Sequence, residues 1–327
     1  MCYGLTQSGK TAVMVGVIYF YIKNVNYFIP IENIFIITGL SSCDWKKQML
    51  ERFPEPLHNQ IFHRNELDIK FIKKFKGKKD VLLLMDEVQV AGKINQTISK
   101  VFNELNFNID FFLENDIKIV QFSATPDGHI YSICNWDRHG CKIKYNPGIG
   151  YTSCFDLWDD DRIFQYKSLK VDFDKHLNPI NTEATKKVFE AINEIEDCIK
   201  YIGEPSWHII RLPCYPYDEI IYEFDERFEL IEGETKYSYF NDIDKEKYYP
   251  TISELVVNRP KEHIFIFIKE KLRCASTLNG ENLGLLYERF SKEPDDTTII
   301  QGLIGRMTGY TTNNRSICFT NKESIVK

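Results

Sequence analysis

The chain has 327 residues, of which 43% are hydrophobic and 27% are charged, and this composition excludes an intrinsically disordered chain. Its 41 basic and 47 acidic residues give a formal net charge of −6, which argues against a small basic protein that coats nucleic acid by bulk electrostatics. The charge is uneven: residues 1–150 carry 18 basic against 15 acidic residues, and residues 151–327 carry 23 against 32. The composition therefore leaves room for a local nucleic-acid channel, and the acidity belongs to the second part.

The cysteines and the apolar stretches address compartment and membrane. None of the nine cysteines forms a Cys-x-x-Cys pair, so there is no thioredoxin-like or zinc-ribbon spacing. Cys134, His139, Cys141 and Cys154 are irregularly spaced, which leaves a zinc site open as the alternative to ordinary reduced cysteines. The longest N-terminal apolar stretch, Ala12 to Ile22, is about half the ~20 residues that a membrane span needs. We predict a soluble protein of a cytosolic-type, reducing compartment, with no membrane partner.

In chain order, residues 1–150 alternate short β-rich runs with helical stretches, which is typical of a parallel α/β sheet. The segment Lys70–Lys79 is very basic, and two interpretations stay open for it, a solvated loop or a phosphate contact. The nearly continuous apolar runs predict strands at Asn33–Thr38, Val81–Met85 and Ile117–Phe122, with helices at Thr11–Lys23, Asp44–Phe53 and Asn95–Leu105.

The remainder predicts a second α/β unit after a connection. From Asp127 to Leu169 the pattern dissolves into turn-forming and aromatic residues, as in a segment that joins two domains. Glu219–Tyr249 has no clear period and is interpreted as an acidic insertion on the surface, and the domains are expected at 1–150 and 151–327. The second unit is expected to hold a helix at Thr182–Ile202 and strands at His208–Leu212, His263–Ile268, Leu283–Tyr287, Thr297–Ile300 and Ser316–Thr320.

The first motif is the run Gly4-Leu5-Thr6-Gln7-Ser8-Gly9-Lys10-Thr11, which fits G-x-x-x-x-G-K-[ST] and leads directly into an apolar helical stretch. Glycines let backbone N–H groups converge on phosphate oxygens at a helix N-terminus, while the lysine reaches the β and γ phosphates and the hydroxyl holds Mg²⁺. This motif predicts a phosphate-binding loop.

The second motif is a pair of carboxylates at the end of an apolar strand. Asp86 and Glu87 follow Val81–Met85, and Asp86 comes 76 residues after Lys10. Acidic side chains at this end of a strand lie where open α/β sheets bind ligands. Asp86 would hold Mg²⁺, and Glu87 would orient or deprotonate the attacking water in nucleotide hydrolysis.

Two further motifs follow. The next strand ends in Ser123-Ala124-Thr125-Pro126, whose hydroxyl groups can hydrogen-bond the acidic pair and report the state of the γ phosphate.

Near the C-terminus, the run QGLIGRMTGY begins at Gln301, and Arg306 is expected to follow the end of a strand. An arginine supplied across a domain cleft can neutralise charge on the transferred phosphoryl group.

In this order, the motifs resemble those of superfamily 2 helicases and translocases over essentially the whole chain. GLTQSGKT resembles motif I, ITGLSS motif Ia, DEVQ motif II, SATP motif III and QGLIGRMTGY motif VI, in a style similar to helicase-like proteins of large DNA viruses. The resemblance implies an α/β fold of two RecA-like P-loop domains with parallel-rich sheets. It also implies ATP and Mg²⁺ as cofactors, and nucleic acid, either DNA or RNA, as partner.

The resemblance implies roles for individual residues as well. Lys10, Glu87 and Arg306 would be catalytic, and Thr11 and Asp86 would hold Mg²⁺. The loop from Gly4 to Thr11, together with Asp86, would bind ATP. The side chains that would couple hydrolysis to domain closure are Gln89, Ser123, Thr125 and Gln301. The candidates for contacts with the nucleic-acid backbone are Thr38 and Gly39 of motif Ia and, with a solvated arginine as the alternative, Arg64 and Arg273.

The chain also departs from the family pattern. The family has a second arginine three residues after the first in motif VI, where this chain has Gly309, and Gln301 lies one residue further from the Gly-Arg pair than is usual. No conventional motif V is recognisable. Only Met1–Tyr3 precede the phosphate loop, so we expect the first sheet to lack most of its P-loop strand, as in an N-terminally shortened copy of a longer helicase.

These observations favour an ATP-dependent helicase or translocase, a nucleic-acid-stimulated ATPase that acts as a monomer or within a larger replication or transcription assembly. If the chain is viral, the expected location is the host-cell cytoplasm or the virion. Two alternatives stay open, a remodelling ATPase that does not unwind and an impaired helicase-like fragment that only binds. A metabolic kinase is disfavoured by the Ser-Ala-Thr run and the late arginine motif.

Overall fold

The computed structural model divides into two units, residues Met1–Ile149 and Gly150–Lys327. The residues described are 1–40, 43–87, 97–124, 140–170, 172, 174, 180, 182–213, 218–229, 237–241, 251–269, 272 and 278–326.

The first unit is built on a sheet of six described strands in the order β3-β2-β4-β5-β1-β6, and every pair is parallel. The three long strands are nearly continuous apolar runs because both faces of a parallel sheet are covered. The two-residue strand β1 lies between β5 and β6. The strands are β1 (Cys2–Tyr3), β2 (Ile34–Thr38), β3 (Ile61–Phe62), β4 (Val81–Asp86), β5 (Ile117–Ser123) and β6 (Ile143–Lys144).

The register places the carboxyl ends of the central strands at one edge. Thr38 pairs with Asp86, Asp86 pairs with Phe122, and Tyr3 pairs with Ser123. This is the edge where open α/β sheets bind ligands. The helices of this unit are α1 (Lys10–Lys23), α2 (Cys43–Arg52), α3 (Ile72–Phe75), α4 (Thr97–Glu104) and α5 (Ile109–Glu114).

The basic segment Lys70–Lys79 is partly helical, and several of its lysines form hydrogen bonds within the first unit. A π-helical turn, Leu67–Phe71, continues into α3, and Phe71 and Phe75 are buried beside Phe35 with ring centroids 5.8 and 5.2 Å away. Packed aromatic pairs add to the burial of apolar area. The segment therefore belongs to the core of the first unit.

Three lysines of the same segment bind within the unit. Lys70 Nζ donates a hydrogen bond to the Glu66 carboxylate. Lys74 Nζ donates to the Asn59 carbonyl, and Lys78 Nζ donates to the Asn33 side chain. These hydrogen bonds favour a structural role over the phosphate contact.

The second unit is built on another parallel sheet, with the described strands in the order β7-β12-β11-β8-β10-β9. Its largest described helix, α7 (Glu183–Ile202), begins after Thr182, whose side chain accepts from the Thr185 N–H, and is followed by Gly203 in the left-handed region. The strands are β7 (Ile163–Gln165), β8 (Trp207–Arg211), β9 (Tyr237–Asn241), β10 (His263–Ile268), β11 (Leu283–Tyr287) and β12 (Ile317–Thr320). The helices are α6 (Cys154–Asp159), α7 (Glu183–Ile202), α8 (Asp218–Phe228), α9 (Ile252–Leu255), α10 (Asp296–Ile300) and α11 (Glu323–Val326).

Within the segment Glu219–Tyr249, the described residues up to 229 and at 237–241 supply a helix and a strand of the second unit rather than a surface elaboration. Helix α8 buries Phe224 and Phe228, and Phe228 packs 4.9 Å from Phe265 between ring centroids. Strand β9 pairs with β10 along five residues. The acidic composition did not indicate this role, because only one residue per turn of α8 is buried, namely Ile220, Phe224 and Phe228.

The expected strand Thr297–Ile300 is wrong, since the residues form helix α10. The Asp295 carboxylate accepts from the Thr298 N–H at 2.8 Å and also from its hydroxyl. This is the contact of an N-cap, and it stabilises a helix despite the β-branched run. The connection expected over 127–169 is also divided, because β6 belongs to the first sheet and β7 to the second, while residues 127–139 lie outside the described residues.

None of the described helices is both long enough and apolar enough to cross a membrane. Five described cysteines, Cys2, Cys141, Cys154, Cys198 and Cys318, are free thiols.

Candidate nucleotide site

The loop Gly4–Gly9 joins β1 to α1 at the edge of the first sheet where the carboxyl ends of the strands lie. It begins with the Gly4 N–H donating to the Ser123 carbonyl at 3.1 Å, and it turns through Gln7 (φ 57°) and Gly9 (φ 93°). Positive φ angles suit glycine at position 9. Helix α1 then starts at Lys10 without a side-chain cap and without an acidic residue in its first turn.

The side chains of Lys10 and Tyr145 lie against this loop. Lys10 Nζ donates to the Leu5 carbonyl at 3.0 Å and lies 3.4 Å from the Gly4 carbonyl. A Cβ at Gly4 would meet Tyr145 Cδ1 at 3.0 Å and the Tyr145 carbonyl at 3.1 Å, and a Cβ at Gly9 would lie 3.5 Å from the Tyr145 hydroxyl. Tyr145 therefore packs on the glycine loop, which the sequence did not predict, because nothing near position 145 marks it.

Asp86 is a buried carboxylate at the end of β4. Its Oδ2 accepts from Trp45 Nε1 at 2.8 Å, and Trp45 itself is buried on α2. Burial raises the pKa of Asp86 above its ordinary value and the charge of Glu87 raises it further, whereas the Trp45 hydrogen bond and the charges of Lys10 and Arg52 lower it. A cation bound beside Asp86 would favour its ionised form.

Glu87 links the second motif to the third. Its N–H donates to the Phe122 carbonyl at 3.0 Å, and its Oε1 accepts from the Ala124 N–H at 3.3 Å. Its backbone has a positive φ of 47°, which is uncommon for a residue with a side chain and is found disproportionately at functional sites. Ser123, also buried, connects the same strand end to the Gly4–Gly9 loop through its carbonyl, which accepts from the Gly4 N–H.

Thr11 lies in the first turn of α1, directly after the loop. Its Oγ1 accepts a hydrogen bond from Arg52 Nη1 at 3.3 Å. Arg52 is the last residue of α2 and is exposed. Neither Arg52 nor Trp45 belongs to a motif recognised in the sequence.

These residues fit a nucleotide with Mg²⁺. An uncapped helix start directs backbone N–H groups and the positive end of the helix dipole toward an anion, and Lys10 adds a charge at the same place. Hydroxyl and carboxylate oxygens, here from Thr11 and Asp86, are ligands that Mg²⁺ accepts alongside phosphate oxygens.

The other predicted residues of the first unit are placed as follows. Thr38 and Gly39 are buried at the end of β2, and the Thr38 hydroxyl accepts from the Leu40 N–H at 3.2 Å. Arg64, partly exposed, is brought beside them because its N–H donates to the Leu40 carbonyl at 3.0 Å. Gln89, Thr125 and Arg273 lie outside the described residues.

In the second unit, Gln301 and Arg306 are not at the end of a strand. They follow helix α10, and Arg306 closes the 3₁₀ helix Ile304–Arg306. Arg306 is buried, and its Nη2 donates to the Gln301 carbonyl at 3.0 Å. The two residues are therefore held together by one turn.

Position 309 has a backbone reason to be glycine. Gly309 has a φ of 118° and exchanges two 2.9 Å backbone hydrogen bonds with Thr152. An arginine there would be strained. The departure from the family pattern thus follows from the local backbone.

A buried ion pair supports the same turn. The Arg211 guanidinium lies 3.1 Å from Glu288 Oε1, and Glu288 Oε2 accepts from the Leu303 N–H at 3.1 Å. Arg211 is the last residue of β8, and Glu288 directly follows the neighbouring strand β11. The ion pair could therefore be predicted only once the order of the strands in the sheet is known.

The described residues give no support for a zinc site at the irregularly spaced Cys134, His139, Cys141 and Cys154. Cys134 and His139 lie outside the described residues, and no group of three or more His, Cys, Asp or Glu within the described part could hold a metal.

Comparison with known proteins agrees with the expected fold. The solved structure of S. cerevisiae Dbp5 bound to RNA and ADP BeF3 matches with a TM-score of 0.52 at 13% sequence identity, covering 99% of this chain and 80% of that chain. The structural match and the two parallel sheets confirm the predicted fold class, an α/β fold of two RecA-like domains.

A sequence relative is also found among viral proteins. Uncharacterized protein L594 of Acanthamoeba polyphaga mimivirus is 28% identical over 325 residues, covering 93% of this chain and 75% of that protein. No protein-family model matches the chain.

Proposed function

We propose that this protein is an ATP-dependent nucleic-acid helicase or translocase. One observation carries the proposal: the phosphate loop, the Asp86–Glu87 pair and the Ser123–Ala124 strand end meet at one edge of a RecA-like sheet, joined by the Gly4–Ser123 and Glu87–Ala124 hydrogen bonds. A nucleotide-driven switch needs such links, because hydrolysis at one motif must be felt by its neighbours.

The chemistry is assigned to residues of this chain. Lys10 and the N-terminus of α1 would bind the phosphates, and Mg²⁺, when bound to Thr11 and Asp86, would neutralise phosphate charge. Glu87, fixed by the Ala124 N–H, would orient the attacking water and take its proton. Arg306 would stabilise the charge of the transition state. Ser123, Gln89, Thr125 and Gln301 would couple hydrolysis to movement.

The partner is proposed to be single-stranded DNA or RNA, held mainly through its phosphate backbone with little sequence preference. Dbp5, the structural neighbour, was solved with RNA, which favours testing RNA first. We expect affinity to fall steeply with salt. Thr38, Gly39, Arg64 and Arg273 stay the proposed contacts.

The test is ATP hydrolysis by the purified, folded chain with and without single-stranded RNA or DNA. Stimulation by either polymer, abolished in Lys10→Ala and Glu87→Gln, supports the proposal. Binding without hydrolysis would favour the binding-only alternative.

Strand displacement on tailed duplexes then separates unwinding from remodelling. Stimulated hydrolysis without displacement of any strand would favour a remodelling ATPase.

A further inference from the structure

Helix α2 presents two side chains to the candidate nucleotide site. Trp45 and Arg52 are seven residues apart, which is about two helical turns, so they lie on the same side of the helix. Trp45 Nε1 donates to Asp86 Oδ2 at 2.8 Å, and Arg52 Nη1 donates to Thr11 Oγ1 at 3.3 Å. Their acceptors are the two protein groups proposed to hold Mg²⁺.

The Trp45 contact constrains Asp86 strongly. Trp45 is 1% exposed, and an indole N–H buried to that degree requires an acceptor. With Oδ2 engaged, rotation of the carboxylate is restricted and the direction of Oδ1 is set. A core tryptophan satisfied by a main-chain carbonyl, as Trp207 is by Asn258 at 2.7 Å, would leave Asp86 without this restraint.

The Arg52 contact acts on Thr11 in a similar way. A threonine hydroxyl has two lone pairs and one hydrogen, so a hydrogen bond from Arg52 to one lone pair directs the other. Thr11 lies in the first turn of α1, where its side chain can rotate toward the loop or away from it.

We propose that α2 positions the Mg²⁺ ligands of this protein, with Trp45 orienting the Asp86 carboxylate and Arg52 orienting the Thr11 hydroxyl. Both are positioning residues. The inference rests on the proposed function, because it assumes that a nucleotide with Mg²⁺ binds at this edge. Outer partners of metal ligands typically change metal affinity by about 10- to 100-fold when they are removed.

The test measures how much Mg²⁺ strengthens binding of a fluorescent ADP analogue, as the ratio of its Kd in EDTA to its Kd in saturating Mg²⁺. Trp45→Phe keeps an aromatic ring but removes the N–H. We expect it to reduce the Mg²⁺-dependent gain by about tenfold, with the Kd in EDTA unchanged. Trp207→Phe is the matched control, because it removes the indole hydrogen bond of another buried tryptophan, in the second unit.

Arg52→Gln is compared with Lys47→Gln, which removes the same charge from an exposed position of the same helix. We expect Arg52→Gln to reduce the Mg²⁺-dependent gain severalfold and to leave the Kd in EDTA unchanged. Equal weakening in EDTA and in Mg²⁺ would overturn the positioning role of Arg52 and indicate a direct phosphate contact instead.

A second replacement covers the case in which Trp45→Phe does not fold. β-(3-Benzothienyl)alanine at position 45 keeps the indole shape and replaces the N–H by sulfur. If either variant keeps the full Mg²⁺-dependent gain, the role of Trp45 is overturned while the proposed function stands. If the wild-type chain binds no nucleotide, the proposed function fails and this inference fails with it.

Discussion

Glu66 offers a sharp test of how α2 is held at the candidate site. Its Oε2 accepts from Lys46 Nζ of α2 at 2.6 Å, and its Oε1 accepts from Lys70 Nζ at 3.2 Å. Burial raises the pKa of Glu66, but the hydrogen bonds from the two lysines outweigh burial and lower the pKa from 4.5 to about 2. Since the pKa is lower in the folded state, the stabilisation is complete above pH 4.5 and is lost as pH falls toward 2.

The magnitude follows from the gap between the two pKa values. A gap of about 2.5 units corresponds to at most about 3.4 kcal/mol. The side chains of Lys46 and Lys70 are 27% and 70% exposed, so screening by solvent reduces the expected contribution to about 1–2 kcal/mol. Glu66→Gln should therefore lower the free energy of unfolding by about 1–2 kcal/mol at pH 7 and by less than about half of that at pH 3.

The assay is urea denaturation followed by tryptophan fluorescence at both pH values. Glu51→Gln, which neutralises an exposed carboxylate on α2, is the control for the loss of charge alone. A cost of Glu66→Gln that is equal at pH 7 and pH 3, or no cost at pH 7, would refute the assigned role of the two lysines.

Three glycines give further predictions. Gly4→Ala places a Cβ about 3 Å from Tyr145 and should weaken nucleotide binding about tenfold, measured with the fluorescent ADP analogue. Gly284→Ala places a Cβ 2.6 Å from the buried His208 ring and should lower the free energy of unfolding by about 1–3 kcal/mol in urea. Gly309→Arg, which restores the arginine of the family pattern, should cost about 1–3 kcal/mol because φ is 118°, and it should not raise the rate of ATP hydrolysis.

Gly16→Ala is the control for these substitutions, since no atom lies within 4 Å of its added Cβ and alanine favours a helix by about 1 kcal/mol. Unchanged nucleotide affinity in Gly4→Ala, unchanged stability in Gly284→Ala, or faster hydrolysis in Gly309→Arg would each contradict the corresponding contact.

The sequence predicted the elements that depend on local pattern. The strands at Val81–Asp86 and Ile117–Ser123 are long apolar runs, and the residues at their ends follow from parallel pairing. The strand expected at Thr297–Ile300 was wrong because β-branched residues outweighed the capping signal of Asp295 in the interpretation of the sequence. An aspartate three residues before the Thr298 N–H was the signal that could have corrected it.

Contacts between residues that are far apart in the sequence were not predicted. Trp45 and Asp86 are 41 positions apart in the sequence, and Tyr145 contacts Gly4 only because β6 pairs with β1. Such contacts follow from sheet order, which strand patterns alone do not determine. The motifs of the candidate nucleotide site could therefore be found from the sequence, but the side chains that contact them from elsewhere in the chain could not.

The most direct test of the central claim is the rate of ATP hydrolysis by the folded chain with single-stranded RNA or DNA. The proposed function predicts that one polymer stimulates hydrolysis and that Glu87→Gln lowers the stimulated rate by about 100-fold or more. Absence of stimulation by both polymers, or full activity in Glu87→Gln, would contradict it.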